Sequence, residues 1–477
     1  MKKSLIFVFI ISFAQLTYSN STFDTIYSHP DDERINDIIE FPNFYILIGS
    51  NVDTINYGSY IIKINKKGVI LKDTIFDKNS ISQRIFRIDN EIVLLYERFS
   101  TSHNQAFIVF AKMDTSLNIL FEKQFFIPDS LYLMRYNVIL NSDSNFVIAG
   151  TTNTISSPPL FLDPFIYILS NMGDSLNALF MKNTLRTIDM CYDIVEKDKR
   201  YFAYISHFSQ ATALGVFLIV DSNLTIIDTV DIPDDLYDNF SPKLINDSIF
   251  IICTRNANSS EIYISKINES GQIIKSKGFG KLNSLANPSY QNSLSISNDN
   301  IYFLAIVDFC MPNPFLGLGV PSSIMIGKLD SELNTKWLRF YGGDKYYHAY
   351  NILATSDGGC ICIGTANDTI NHNNNRDIFI VKLDSNGLGT WSQTIKMPLL
   401  AVKIFPNPVS DYINISIDGN NPISKIEIYD IQGKRIMQKQ LNASQSKFNV
   451  SNLTKGVYIL EGITRSGAIF REKFVKE

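Results

Sequence analysis

The chain has 477 residues, of which 45% are hydrophobic and 19% charged, the composition of a folded protein rather than of a disordered tail. At about 150 residues per domain, this length predicts two or three structural units. Residues 1–400 carry 32 Lys and Arg against 40 Asp and Glu, and this acidic balance argues against a nucleic-acid-binding protein, which needs a positive surface.

The N-terminal segment has the three-part pattern of a signal peptide. Lys2 and Lys3 precede an apolar stretch from Leu5 to Ala14, and small residues follow before Asn20. The apolar stretch is about half the ~20 residues that cross a bilayer. Residues 1–19 are therefore predicted to direct export through the Sec machinery, and the protein is expected to be secreted or on the outer cell surface, via the periplasm.

The cysteines do not indicate a disulfide framework. The chain has five, an odd and sparse set: Cys191, Cys253, Cys310, Cys360 and Cys362. Free cysteine packs as a small hydrophobic residue, so buried free thiols are expected.

A repeated pattern of strands and turns runs through the middle of the chain. In its clearest copy, a strand ending in Lys328-Leu329-Asp330 is followed by a turn, a strand containing Trp337 and the strand Cys360–Thr365. A period of roughly 40–50 residues with about four strands is typical of β-propeller blades. The turn residues that mark the copies are 47 to 62 residues apart and are Asn65, Asp114, Asn171, Asp221, Asn268, Asp330 and Asp384.

Seven copies predict an all-β chain with a seven-bladed β-propeller over residues 20–397. A β-helix or stacked β-sandwiches is the rival architecture, although sandwiches rarely repeat at this spacing. Thr22–Tyr27 has the pattern of an outer blade strand, and it either completes the last blade or is redundant with Trp391–Ile395. The last two copies resemble the divergent propeller repeats of secreted proteins, which implies a fold but not a function.

The pattern changes after Met397-Pro398. Ile413, Ile415 and Ile417 alternate with polar residues, as in a strand with one buried face, and Asp430–Lys434 has the pattern of a hairpin turn. About seven such strands predict a small antiparallel β-sandwich over residues 398–477. From Ala401 onward, eleven Lys and Arg stand against seven Asp and Glu, so this unit is basic where the rest is acidic.

Four motifs in this unit are similar to those of the type A C-terminal sorting domain of the type IX secretion system. They are Phe405-Pro406-Asn407-Pro408, Tyr429-Asp430-x-x-Gly433-Lys434, Leu453-x-x-Gly456-Val457-Tyr458 and Lys473-Phe474-Val475-Lys476. The resemblance implies a sorting motif made of Phe405, Pro406, Asn407, Pro408, Gly433, Lys434, Gly456, Tyr458, Lys473 and Lys476. It also implies recognition by the outer-membrane translocon after Sec export, then removal of the domain, and release of the body or its attachment to surface lipopolysaccharide. The family belongs to the Bacteroidota.

No catalytic, metal or cofactor motif is specific enough to assign a reaction. Carboxylates between strands could act as an acid and a base in glycoside hydrolysis, but solvated loop charges are the favoured interpretation. These carboxylates are Asp31-Asp32-Glu33, Asp163, Asp308 and Asp344. The polar segment 367–377 could supply oxygen ligands to calcium, but it lacks the Asp-x-Asp-x-Asp-Gly spacing.

Three hypotheses follow for the propeller. The first is a non-enzymatic module that binds a glycan or a protein through loops at one end of the ring. The second is a secreted hydrolase, of a glycosidase-like kind, on the same scaffold. The third is a structural component of the cell envelope, retained in the outer membrane.

Overall fold

The structure is a computed structural model of the chain. It describes residues 22–477 except 29–31, 53–56, 100–105, 127–129, 155–161, 182–187, 209–212, 233–235, 238–240, 246–248, 257–260, 281–284, 309–320, 369–375, 390–394, 397–401, 418–422, 432–433, 444 and 465–468. Its secondary structure in these residues is β-strand, and no helix there is long and apolar enough to cross a membrane.

Seven antiparallel sheets make up the region that precedes the C-terminal unit. Blades 1 to 6 follow one another along the chain, and each has its strands in sequence order, from the innermost to the outermost. Blade 1 contains β2 (Asp32–Glu40), β3 (Phe44–Val52), β4 (Tyr57–Asn65) and β5 (Ile70–Lys78); blade 2 contains β6 (Ser80–Ile88), β7 (Glu91–Phe99), β8 (Ala106–Met113) and β9 (Ile119–Phe126). Blade 3 contains β10 (Ser130–Leu140), β11 (Phe146–Thr154), β12 (Asp163–Leu169) and β13 (Ser175–Phe180); blade 4 contains β14 (Ile188–Lys197), β15 (Arg200–Phe208), β16 (Ala213–Val220) and β17 (Ile226–Ile232).

In blades 5 and 6 the innermost strand is split in two. Blade 5 contains β18 (Leu236–Tyr237), β19 (Lys243–Ile245), β20 (Ile249–Asn256), β21 (Ile262–Ile267) and β22 (Ile273–Phe279). Blade 6 contains β23 (Asn287–Pro288), β24 (Leu294–Ser297), β25 (Asn300–Val307), β26 (Ser323–Asp330) and β27 (Thr335–Gly342).

Blade 7 is built from both ends of this region. Its first three strands are β28 (Tyr346–Ala354), β29 (Cys360–Asn367) and β30 (Arg376–Leu383). The fourth is β1 (Phe23–Ser28), which pairs antiparallel with β30, so that Phe23 lies opposite Lys382. The short strand β31 (Ile395–Lys396) then pairs in parallel with the outer edge of β1. The N-terminal strand therefore completes the last blade, and β31 extends that blade rather than replacing the fourth strand.

The apolar core lies between the blades and runs all the way round. Each of seven clusters of buried side chains joins two neighbouring sheets, including blade 7 with blade 1. Alternate residues of one strand face opposite neighbours: Leu47 packs towards blade 7, whereas Ile46 and Ile48 pack towards blade 2. Because both faces of these strands are buried, they read as continuous apolar runs. The closed circuit of clusters confirms a seven-bladed β-propeller.

One turn recurs directly after the third strand of every blade. A side-chain oxygen of its first residue accepts hydrogen bonds from the backbone N–H groups two and four residues later, at 2.8–3.2 Å. The accepting residues are Asn65, Asp114, Ser170, Asp221, Asn268, Asp330 and Asp384. Six of the seven predicted positions are confirmed. Asn171 is wrong by one residue, because the serine hydroxyl of Ser170 makes the same bonds.

The fourth residue of each turn has a positive φ and is either glycine or leucine. The φ values lie between 59° and 80° for Gly68, Leu117, Gly173, Leu224, Gly271, Leu333 and Gly387. The three leucines are buried and fill the space beneath the turn themselves. Three of the glycines are instead covered by a ring from the preceding blade: Phe23 over Gly68, Phe110 over Gly173 and Trp337 over Gly387. A Cβ on any of these glycines would lie 2.6 Å from a ring atom.

The C-terminal unit is a small antiparallel sandwich of seven strands, as predicted. One sheet has the order β32 (Val402–Phe405), β33 (Tyr412–Ile417), β36 (Gln445–Asn449). The other has the order β35 (Arg435–Ala443), β34 (Ile423–Asp430), β37 (Gly456–Thr464), β38 (Ile469–Lys476). A core that includes Ile413, Ile426 and Phe474 lies between the two sheets.

Candidate functional site

The sandwich brings together two of the sequence motifs at its last strand. The Asn407 side chain accepts a hydrogen bond from the Val475 N–H at 2.9 Å and donates one to the Lys473 carbonyl at 3.1 Å. The Val409 N–H donates to the Val475 carbonyl at 2.8 Å, and the Glu477 N–H donates to the Val409 carbonyl at 3.0 Å. The Pro-Asn-Pro segment thus binds the edge of β38, so the first and fourth motifs form one continuous surface.

The side chains of this surface differ in their exposure. Phe405 is 51% exposed, and Pro406, Pro408 and Lys473 are also exposed, whereas Lys476 is 8% exposed. An exposed phenylalanine and an exposed lysine on this surface offer an apolar and a charged contact to a partner without any rearrangement of the core.

The other two motifs lie in turns. Lys434 is exposed, and its N–H donates to the Asp430 carboxylate at 2.9 Å, whereas Gly433 lies outside the described residues. Tyr458 is buried, stacks on Phe474 and donates its hydroxyl to the Thr454 carbonyl at 2.9 Å. Gly456 precedes it at the start of β37 and is exposed. Tyr458 therefore holds the turn against the core rather than presenting a side chain to a partner.

The two ends of the ring have different connections. At one end, the turn end, hairpins of two to five residues join the first strand of a blade to the second and, in blades 1 to 6, the third strand to the fourth. At the other, the loop end, lie the connections between the second and third strands and those between blades. Long connections on a rigid scaffold are where binding residues concentrate, so the loop end is the candidate binding face.

Seven polar side chains surround the ring axis on or beside the innermost strands. We call this group the axial cluster: Asp37, Arg84, Asn137, Asp193, Lys243, Asn292 and Asn351. The two aspartates and two of the asparagines, Asn137 and Asn351, are nearly inaccessible to solvent, so the axis is filled with protein atoms at this depth.

Hydrogen bonds and ion pairs of the axial cluster join neighbouring blades. On one side, Asn292 of blade 6 donates to Asn351 of blade 7 at 3.1 Å, and Asn351 donates to Asp37 of blade 1 at 2.7 Å. Asp37 also accepts from the backbone N–H of Ile85 in blade 2 at 3.0 Å and lies 3.2 Å from the Arg84 guanidinium. Paired polar groups of this kind fix the register of the blades about the axis.

A second group of contacts in the axial cluster surrounds Asp193. Asn137 of blade 3 donates to this carboxylate, and Lys243 of blade 5 lies 3.8 Å from it. Burial raises the pKa of both Asp37 and Asp193, while the neighbouring cations oppose that effect. The buried charges therefore depend on their partners.

Aromatic side chains gather near the axis at the loop end, between blades 6 and 7. The rings of Tyr290 and His348 are 4.0 Å apart, and those of His348 and Tyr350 are 5.4 Å apart. Tyr346 lies 5.9 Å from His348 and is buried, whereas the other three are half-buried. We call these four residues the aromatic group. They lie on or beside β28 ahead of Asn351, and so between the axial cluster and the loop end.

Sequence reasoning missed both groups, although a signal was present. The second strands of blades 1, 3 and 7 each contain a glycine: Gly49, Gly150 and Gly364. The residue just before each glycine pairs across the sheet with Asp37, Asn137 or Asn351, respectively. A polar residue 12 or 13 positions ahead of each of these glycines is visible once the repeats are aligned.

Within the described residues, the carboxylates considered for hydrolysis belong to the loop end. Asp32 forms an ion pair with Arg376, and Asp344 accepts a hydrogen bond from Tyr347 at 2.9 Å. Asp163 is buried at the start of β12, and Asp308 follows β25 with a φ of 59°. Glu33 is buried, and Asp31 lies outside the described residues.

The thiols and the other candidate ligands offer no metal centre in the part of the chain that is described. Cys191, Cys253, Cys360 and Cys362 are buried and unpaired, as predicted, while Cys310 falls in a gap of the described ranges. The segment proposed for calcium lies largely outside the described residues. No group of three His, Cys, Asp or Glu side chains within the described ranges could hold a metal ion.

Comparison with known families identifies the C-terminal unit. Residues 403–477 match the family described as the secretion system C-terminal sorting domain. The chain therefore carries a type IX sorting domain at this end, which supports its export through that system. No curated protein sequence matches the chain.

Solved structures similar to the chain have low sequence identity. The chain is 12% identical to acylaminoacyl peptidase from Pyrococcus horikoshii, with a TM-score of 0.42 over 80% of this chain, and spans 57% of that protein's length. It is 10% identical to the β-propeller domain of the Trilobed protease from Pyrococcus furiosus, with a TM-score of 0.44 over 75% of this chain and 97% of that one. A protein of unknown function from Bacteroides caccae is 12% identical, with a TM-score of 0.34 over 65% of this chain and 94% of that one.

Proposed function

We propose that the chain is a type IX secretion cargo whose propeller binds a glycan at the loop end, over blades 6 and 7. The observation that supports this is the aromatic group, in which Tyr290, His348 and Tyr350 are half-buried beside a filled axis. Tyrosine offers a rigid apolar face with a polar hydroxyl, the combination that suits a ligand with both C–H faces and hydroxyl groups.

The export route has three parts in this proposal. Residues 1–19 act as a signal peptide for the Sec machinery, 20–397 form the propeller cargo, and 398–477 form the sorting domain read by the outer-membrane translocon. The surface made by Phe405–Pro408 and Lys473 is the part of the sorting motif that touches the translocon, because its side chains are exposed. The cargo is then released or attached to surface lipopolysaccharide in a bacterium of the Bacteroidota.

Export is tested by fractionating cells that make the full chain or a chain lacking residues 403–477. The full chain should reach the surface or the medium, and the truncated chain should accumulate in the periplasm. Surface delivery of the truncated chain would contradict the sorting assignment. A Phe405→Ala, Lys473→Ala variant tests the proposed contact surface, with Tyr412→Ala, another exposed aromatic of the same domain, as its control.

Binding is tested by presenting the purified full chain to a panel of immobilised glycans and chromogenic glycosides. Saturable binding that weakens at least tenfold in Tyr350→Ala but not in Tyr412→Ala is the expected result. The absence of glycan binding, or equal losses in both variants, would contradict the proposed site. Turnover of a glycoside would support the hydrolase hypothesis instead.

A further inference from the structure

A recess lies at the outer part of the interface between blades 6 and 7, away from the axis. It has a volume of about 510 Å³, and its walls come from β1 and β30 of blade 7 and from the ends of β26 and β27 in blade 6. The inner part of the same interface is a packed core that contains Ile324, Tyr347, Phe379 and Val381. The recess therefore begins where that core ends.

The backbone of Gly342 and Gly343 keeps the recess open. Their φ values are 90° and 98°, a conformation that L-residues with side chains rarely adopt. A Cβ on Gly342 would lie 2.5 Å from a ring atom of Tyr347. Two successive left-handed glycines thus leave the wall bare at this point.

The recess combines aromatic rings with negative charge. Tyr341, Tyr347 and Phe379 supply the rings, and Asp24 and Asp344 supply carboxylates from the two blades. Two of its eleven lining residues are acidic and none is basic. The nearest cation named beside it, Arg339, donates its guanidinium hydrogen bonds to the Gly387 and Asn386 carbonyls. The Tyr347 hydroxyl donates to one oxygen of Asp344 at 2.9 Å, which orients that carboxylate.

Both carboxylates act on the same tyrosine. Burial raises the pKa of Tyr347, and the charge of Asp344, its hydrogen bond and the charge of Asp24 raise it further. Burial likewise raises the pKa of Tyr341; the nearby Arg339 guanidinium opposes that effect, and Asp24 adds to it. The carboxylates on β1 and after β27, more than 300 residues apart in sequence, therefore face one space.

We propose that this recess binds the arginine side chain of a peptide. A guanidinium group is planar and permanently charged, stacks on aromatic faces and pairs with carboxylates. An arginine stem matches the apolar part of the recess formed by Ile26, Ile324 and Val381. This site is independent of the glycan site, which lies beside the axis.

The test titrates the full chain with the peptides acetyl-Gly-Arg-Gly-amide and acetyl-Gly-citrulline-Gly-amide, followed by calorimetry. Citrulline has nearly the same shape as arginine but no charge. The arginine peptide should bind at least tenfold more tightly, and added salt should weaken it. Equal binding of the two peptides, or binding of neither, would overturn the proposal.

Variants locate the binding. Asp344→Asn and Asp24→Asn should each weaken the arginine peptide at least tenfold, whereas Asp228→Asn, an exposed aspartate on the outer strand of blade 4, should not. Asp344 is exposed and accepts a side-chain hydrogen bond from Tyr347, so its replacement should leave the fold intact. The Asp344→Asn variant therefore tests the site even if Asp24→Asn fails to fold. Retention of full affinity in Asp344→Asn would overturn the proposal.

Discussion

Replacing Gly173 with alanine tests whether the ring from the preceding blade is what requires glycine in the recurrent turn. The added Cβ would lie 2.6 Å from Cδ1 of Phe110, about 1 Å inside ordinary contact distance. Gly358 provides a matched control, because its φ of 79° is similar but its Cβ would meet only Ser385 at 3.6 Å. Each substitution carries a left-handed backbone cost of about 1–2 kcal/mol. Gly173→Ala should add about 1–3 kcal/mol for overpacking against the ring.

Equilibrium unfolding in urea, followed by tryptophan fluorescence, measures these costs. Both tryptophans, Trp337 and Trp391, precede the sorting domain, so the signal reports on the propeller. In a Phe110→Ala background, the cost of Gly173→Ala should fall to that of Gly358→Ala, because the clashing ring is gone. The reasoning is refuted if Gly173→Ala and Gly358→Ala cost the same, or if removing Phe110 leaves the Gly173→Ala cost unchanged.

Three further substitutions test other contacts. Asp193→Ala should lower the free energy of unfolding by about 1–3 kcal/mol, since it leaves the buried Asn137 amide without its acceptor and the half-buried Lys243 without its counter-charge. A loss below about 1 kcal/mol in urea unfolding would show that these axial contacts are dispensable. Lys382→Met should remove the acid sensitivity that Asp357 confers. Burial alone would raise the pKa of Asp357, but the 2.8 Å hydrogen bond from Lys382 holds that pKa below its usual value. The ionised Asp357 therefore stabilises the fold above about pH 4, and this stabilisation is lost as the pH falls through the lower pKa of the folded state. The check is the slope of stability between about pH 5 and pH 2, which should be shallower in the variant. Asn407→Ala should speed amide exchange at Val475, because the Asn407 side chain accepts the Val475 N–H; unchanged exchange there would contradict this hydrogen bond.

The sequence predicted most of the fold because the features that define a blade are local. Each recurrent turn needs only an oxygen-bearing side chain and a residue that tolerates a positive φ three positions later, and both lie within five residues of sequence. The error at Asn171 arose because an asparagine is the more obvious acceptor, yet the preceding serine hydroxyl reaches the same two N–H groups.

The functional surfaces were harder to predict because they depend on contacts between blades. Asn351 meets Asp37 across more than 300 residues, and the recess joins Asp24 to Tyr341 across a similar separation. The aligned repeats can mark Asp37 and Asn351 as polar positions, but no local pattern shows which residues meet across the ring. By contrast, the Pro-Asn-Pro segment was recognisable, because its motif is contiguous even though its contact with the last strand is not.

The position of β1 sets the order in which the propeller can be completed. It lies between β30 and β31, so the earliest strand of the ring has its two partners in the last segment before the sorting domain. During synthesis or passage through a membrane with the N terminus leading, β1 has no partner until about 350 further residues have followed it. Contacts this distant in sequence make ring closure a late and slow event, because a long loop must close first. Until then the edges of blade 7 remain unpaired, and a chaperone that covers an exposed strand edge would protect the chain at that stage.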